Sequence, residues 1–366
     1  MNQEIKCFGC GAIIQNQDEK KIGYVPKKTI DNDQILCQRC FKLRHYHQLS
    51  QTSLTKDDYL RILQTIGEKD CLVVYIIDLF DFNGCQIQGL VRHTGGNDIY
   101  VLANKRDILP KSLKEVKLEH WVRRQLKNEG IKPINVKITS GLKKLNFDVI
   151  YDEIEEYRKG RDVYVVGVTN VGKSTFINAL LKHYASVNDE ALITVSEFPG
   201  TTLDLIQIPL DENSYLYDTP GIVNSHQMTH FVKTEDLETI IPKSEMRPMT
   251  FQLKPEQTLY FSGLARLDYL EGQINSMTCY FSRYLQIHRT KTINADQLYN
   301  RHKTLKMEIE GMSTIDQMKT YEFSIKNGKC DIVISGLGFI TINGKGGKVR
   351  VHVPKDVWVL KREALI

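Results

Sequence analysis

Gly167-Val-Thr-Asn-Val-Gly-Lys-Ser174 is a glycine-flanked loop ending in lysine and serine, a pattern that holds polyphosphate. Glycine lets backbone N–H groups approach phosphate oxygens, and a helix beginning at the end of the loop adds a favourable dipole. Lys173 is expected on the β and γ phosphates and Ser174 with its hydroxyl on Mg²⁺, with Asn170, Val171, Gly172 and Thr175 completing the cradle. The bland alternative is a glycine turn between a strand and a helix. It loses ground because four more segments serve the same chemistry. Asn104-Lys105-Arg106-Asp107 supplies a carboxylate, Asp107, that can accept from both N1–H and the 2-amino group of guanine. Asn104 and Lys105 would brace that loop, the Lys105 stem lying along the base. Adenine lacks both donors, and a site built around such bonds rejects the wrong partner by about 10⁴-fold or more. Ser140-Gly141 is expected to present backbone N–H to the guanine O6, although a plain strand-to-loop turn also fits it. Thr202, with Thr201 second, would close over the metal, and Asp218-Thr-Pro-Gly221 would set Asp218 near Mg²⁺ and the Gly221 N–H against the γ-phosphate.

The base-reading segments precede the phosphate loop, so the motif order is 4-5-1-2-3 instead of 1-2-3-4-5. A domain whose termini lie close together can be reopened elsewhere without losing its fold. The sequence therefore reads as a circularly permuted GTPase that binds GTP and GDP. Lys173, Thr202, Asp218, Gly221 and Asn170 are its catalytic candidates. Ile222 stands where many GTPases carry the Gln that orients water, so unaided turnover should be slow, on the order of 10⁻³ per second. Some GTPases lacking that Gln use potassium held by an Asn of the phosphate loop. Asn170 occupies the matching position, and a loop-bracing amide is its other reading.

These loops need a scaffold. Apolar runs Cys71–Asp78, Ile99–Ala103, Ile134–Ile138 and Val163–Val166 alternate with helical stretches over Ser112–Asn128, Val149–Arg158 and Lys173–His183. Alternation of this kind implies a mostly parallel sheet with helices on both faces and functional loops at the carboxyl ends of its strands. Short strands over Asp204–Ile208 and Tyr215–Tyr217 should flank a turn at Asp211–Asn213. Beyond Gln227 the alternation stops, and strand-like segments at Cys330–Ser335, Gly338–Ile342 and Val349–Val353 point to a strand-rich α+β domain.

Cys7-x2-Cys10 and Cys37-x2-Cys40 form two knuckles whose four thiolates suit a structural, tetrahedral Zn²⁺. His45 and His47 could replace one thiolate, but solvated imidazoles explain them more simply. Cys71, Cys85, Cys279 and Cys330 have no paired spacing and are assigned no chemistry. The expected domains are a zinc domain over 1–50, the permuted GTPase over 51–225 and a C-terminal RNA-binding domain over 226–366.

The composition, 41% hydrophobic and 25% charged with net charge +5, is ordinary for a globular protein, and no apolar run suits a signal peptide or membrane span. A cytoplasmic location is expected. Basic residues cluster at Lys20–Arg44, Arg283–Lys306 and Lys345–Arg362. Arg283, Arg289, Lys291, Arg301, Lys303 and Lys306 interleave with Tyr280, Phe281, Tyr284 and Tyr299, which suits phosphate contacts plus base stacking or, equally, a helix with aromatics in its core. Gly344–Arg350 reads as a basic loop that touches phosphate or merely turns between strands.

The cysteine knuckles, the motif order, the long C-terminal domain and the segments Asp78–Gly84, Asn104–Asp107, Gly167–Thr175, Pro199–Thr202 and Asp218–Gly221 together resemble the YqeH-type bacterial GTPases. The resemblance implies a role in assembly of the small (30S) ribosomal subunit with ribosomal RNA as partner. A regulatory GTPase with a protein partner in replication or stress control, its zinc domain used for docking, is the alternative. A third reading is an RNA-binding scaffold in which nucleotide only stabilises the fold. The oligomeric state is left open.

Overall fold

The computed structural model describes residues 14–17, 24–25, 56–188, 206–300, 305, 307, 309, 312 and 314–366. The four knuckle cysteines, Thr201, Thr202, Arg301, Lys303 and Lys306 lie outside the described residues. Two compact units emerge: the first comprises residues up to 77, 87–104 and 123–223, the second 78–86, 105–122 and 224–366.

The first unit is built on a six-stranded sheet. Its strands are β1 (Cys71–Asp78), β2 (Asp98–Asn104), β3 (Asn135–Ile138), β4 (Asp162–Val166), β5 (Ile206–Pro209) and β6 (Tyr215–Asp218), in the spatial order β3-β2-β1-β4-β6-β5. The β1–β4, β2–β3 and β4–β6 pairs run parallel, and the β5–β6 hairpin is antiparallel. Every residue of β1 is buried, as its continuous Val/Ile/Leu run requires of a central strand covered on both faces. Helix Lys56–Gly67 precedes β1, Phe147–Arg158 connects β3 to β4, and Lys173–Asn188 follows β4. The Asp211 turn forms as expected: its Oδ1 accepts from the N–H groups of Asn213 and Ser214. From β1 the chain proceeds to one side of the sheet and from β4 to the other, and this reversal is where an open α/β sheet makes its ligand crevice.

The second unit is dominated by an eight-stranded antiparallel sheet of β7 (Met249–Leu253), β8 (Gln257–Phe261), β9 (Ala265–Gly272), β10 (Asn275–Phe281), β11 (Ile287–Lys291), β12 (Lys319–Ile334), β13 (Gly338–Val353) and β14 (Val359–Glu363). Gly338–Ile342 and Val349–Val353 are thus one sixteen-residue strand. The expected basic loop at Gly344–Arg350 is its middle, because it is paired on both sides: Lys345 with Asn327 of β12, and Gly347 with both Ile325 and Gly272. Residues 280–306 likewise do not form one helix. Tyr280 and Phe281 end β10 (Asn275–Phe281), Arg289 and Lys291 sit on β11 (Ile287–Lys291), and among the described residues the helix is Thr292–Asn300. Cys71, Cys85 and Cys279 are buried and Cys330 is half-buried, none of them in a disulfide. No described helix is long and apolar enough to cross a membrane.

Within this unit the loop after β1 is a knot of buried polar bonds. Asp81 Oδ2 accepts from Gln227 Nε2 at 2.7 Å, and the Gly84 carbonyl accepts from Asn224 Nδ2 at 2.6 Å. Arg362 donates to Asn83 Oδ1 at 2.7 Å, pairs with the buried Asp331 and stacks on Trp121. Burial pushes the Asp81 carboxyl up to about 7, against the lowering effect of bonds from the Gly336 backbone and the Gln227 amide. The folded state therefore keeps a proton that the unfolded chain gives up at about pH 4, and stability falls as pH rises through that window to about 7. Asp81→Asn, permanently neutral, is predicted to gain on the wild type by on the order of 2–4 kcal/mol between about pH 5 and about pH 8. Denaturant unfolding at the two pH values measures it.

Candidate nucleotide site

The phosphate loop leaves the carboxyl end of β4, as the strand pattern requires, and its last two motif residues open the helix Lys173–Asn188. Gly167 is tight against β1: a Cβ there would lie 2.6 Å from the Ile76 carbonyl oxygen. Asn170 takes a left-handed backbone, φ 64°, which Asn tolerates better than most residues. Its side chain is exposed.

Asn104 joins the base-reading end of β2 to this loop. Its amide is buried, donates from Nδ2 to the Val171 carbonyl at 2.7 Å and accepts at Oδ1 from the Gly141 N–H at 2.9 Å. One side chain thereby holds segments of three strand ends together. Gly172 makes room for it, since with φ 94° a Cβ would fall 2.4 Å from Asn104 Nδ2. Ser140 is buried, its Oγ accepting from the Lys143 N–H. Through this bond to Asn104 the Gly141 N–H ties the loop after β3 to the end of β2.

Lys173 and Asp218 carry the electrostatics. Lys173 is buried with its ammonium turned back onto its own loop, donating to the carbonyls of Gly167 at 2.9 Å and Val168 at 3.1 Å. Burial pulls its pKa down to about 8, opposed by the charge of Asp218. Asp218 closes β6, and burial lifts its carboxyl to about 6, opposed by Lys173. Asp218 Oδ1 is buried with no hydrogen-bond partner among the described residues. An orphaned buried carboxylate oxygen and a buried ammonium call for a cation and an anion respectively. A hydrated Mg²⁺ satisfies the first and a phosphate the second, so the residues present fit the metal. Ser174 is half-buried at the start of the helix and Thr175 is exposed. The segment after Asp218 lies along the phosphate loop: Thr169 N donates to the Ile222 carbonyl at 2.8 Å. A Cβ on Gly221 would be 2.7 Å from Lys173 Nζ, so only glycine permits that approach.

In the second unit, Lys105 adopts φ 65° and its ammonium bonds to Asp78 Oδ2 at 2.7 Å. Asp107 follows, half-buried in the single 3-10 turn Arg106–Ile108. Arg106, which the sequence reading passed over, donates to the carbonyls of Leu109, Lys111 and Leu113 and staples the chain beyond the turn. The sequence places Asp78 at the end of an apolar strand and at the head of the segment Asp78–Gly84, with no role assigned to it. A charge terminating a fully buried run is the signal that could have marked it.

Fold and site define a phosphate-loop GTPase whose motifs are cyclically reordered. Two family models match: the description "50S ribosome-binding GTPase" over residues 162–252 and "YqeH-like, C-terminal" over 274–365. The chain is 48% identical to YqeH of Bacillus subtilis (strain 168), over 100% of both chains. It is 29% identical to NO-associated protein 1 of Arabidopsis thaliana, over 96% of this chain and 72% of that one. Among solved structures, GNP-bound YlqF from T. maritima matches at 22% identity with a TM-score of 0.30, covering 46% of this chain and 58% of that one. The chain belongs to the YqeH family of circularly permuted GTPases.

Gly172→Ala adds a methyl group where Asn104 stands and forces alanine into a left-handed backbone. It is predicted to weaken GDP binding by about 100-fold or more, two clashes of at least ~1.4 kcal/mol each, while the far-UV circular dichroism stays that of the wild type. Titration with a fluorescent GDP analogue checks it.

Proposed function

We propose that this GTPase is a nucleotide-driven switch in assembly of the small (30S) ribosomal subunit, acting in the cytoplasm through contact with ribosomal RNA. In this reading Asn104, Lys105, Asp107, Ser140 and Gly141 take the guanine side. Asn170, Val171, Gly172, Lys173, Ser174 and Thr175 take the phosphates. Thr201, Thr202, Asp218 and Gly221 respond to the γ-phosphate and to the metal, which Ser174, Thr202 and Asp218 would hold. Mg²⁺, when bound, neutralises charge on the phosphate oxygens. Cys7, Cys10, Cys37 and Cys40 hold a structural Zn²⁺ in a domain of residues 1–50, the GTPase spans 51–225, and 226–366 meets the RNA.

Family membership supports the reading, and one observation of this chain carries the choice of an RNA partner. Strand β13 bears Lys345, Lys348 and Arg350 with no acidic residue in its sixteen positions, its His352 being buried against Asp268. Lys326 and Lys329 are exposed on the strand beside it, although Lys348 and Arg350 share Glu322. Stacking is confined to fewer rings than the sequence offered, since Tyr280, Phe281 and Tyr299 are buried and Tyr284, paired with Arg283, is exposed. The large subunit is the second reading, favoured by the words of the family model that matches residues 162–252.

Co-sedimentation with separated ribosomal subunits, with GDP or a non-hydrolysable GTP analogue, tests the proposal. Binding to the small subunit that changes with nucleotide and falls steeply with salt is the expected result. Binding to the large subunit alone favours the second reading, and no binding by a GTP-competent sample favours a protein partner. Hydrolysis is expected to be severalfold faster in potassium than in sodium, with Asn170→Ala abolishing the difference; equal rates in the two salts remove that role for Asn170.

A further inference from the structure

The Lys105–Asp78 pair is unusual in where it lies. Asp78 is the last residue of a strand buried along its whole length, and its side chain is 9% exposed, that of Lys105 25%. Burying a carboxylate costs several kcal/mol unless it is paired and hydrogen-bonded. Asp78 meets both conditions: Oδ2 takes the Lys105 ammonium at 2.7 Å and Oδ1 accepts from the Phe80 N–H at 2.9 Å. The bond from Phe80 fixes the carboxylate within its own turn, so Lys105 reaches to a preset anchor.

What the anchor fixes is the backbone of the base-reading segment. Lys105 holds φ 65° and ψ 34°, a left-handed conformation that is strained for a non-glycine residue and persists only where the surroundings over-determine it. That conformation turns the chain out of β2 and into the short turn that presents Asp107. Arg106 secures the far side through three carbonyls. Asp107 is therefore flanked by two cationic residues, each tied down. A loop held in its binding shape before the ligand arrives spares the ligand the ordering cost.

We propose that Asp78 is a positioning residue for guanine recognition: through Lys105 it sets the geometry of the segment that carries Asp107, without touching nucleotide. The proposal rests on the reading of Lys105 and Asp107 as base-side residues. Asp78→Asn keeps the side-chain volume and an acceptor for the Phe80 N–H but removes the charge that holds Lys105.

The test is a double-mutant cycle in the full-length protein, using Asp78→Asn, Lys105→Met and the double variant. Dissociation constants are measured for GDP and for inosine diphosphate, which lacks the 2-amino group, and thermal unfolding is followed in the same samples. Asp78→Asn is expected to weaken GDP by about tenfold and to lower the preference for GDP over inosine diphosphate, and the double variant should bind no worse than the weaker single one. An Asp78→Asn protein that unfolds earlier but keeps both the GDP affinity and the preference overturns the proposal, leaving Asp78 a purely structural ion. Additive losses also overturn it. If Lys105→Met changes neither constant, the assignment of Lys105 to the base side fails first.

Discussion

The buried amide of Asn104 is the contact on which the nucleotide site depends. It draws the end of β2 to the phosphate loop through Val171 and to the loop after β3 through Gly141. Neither bond refers to chain order. The groups that meet are fixed by the sheet, in which β1 and β4 lie side by side, and the same meeting occurs wherever the chain is opened. This is why the 4-5-1-2-3 order leaves the chemistry intact. Two glycines pay the steric cost: Gly172 admits Asn104, and Gly221 admits Lys173.

Around that contact the charges are arranged at some cost to the ligand-free protein. Lys173 and Asp218 are both buried, each shifted toward neutrality, and one oxygen of Asp218 has no partner among the described residues. Groups buried in this way are the ones that a phosphate and its metal would satisfy. In the second unit, the loop after β1 works differently. It satisfies its buried acids internally, Asp78 with Lys105 and Asp81 with Gln227, and Asn83 accepts from Arg362 of the last strand. Residues far apart in sequence are tied there by bonds that only a complete fold can make.

Much of the site was legible in the sequence because its residues combine strict spacing with strict context. The strands around Cys71–Asp78 and Val163–Val166 came through because a fully buried parallel strand is a continuous apolar run. The C-terminal unit was harder. Gly344, Gly346 and Gly347 signalled a turn, yet long-range pairing with Asn327, Ile325 and Gly272 carries one strand straight through them. Tyr280 and Phe281 looked available for stacking because a short mixed segment does not reveal which face is covered, and both are buried. The partners of Lys105 and Gln227 could not be read at all, since Asp78 and Asp81 meet them only through tertiary structure.

The central claim is that Asp107, in the segment that precedes the phosphate loop, reads guanine. It is tested most directly by exchanging Asp107 for Asn and comparing affinities for GDP and xanthosine diphosphate. An amide at this position can no longer accept from both guanine donors but can donate to the 2-oxo group of xanthine. Loss of GDP binding with a gain of xanthosine diphosphate binding, each by about 100-fold or more, is the predicted result. Unchanged preference for GDP would contradict the account, because Asp107 would then not be reading the base.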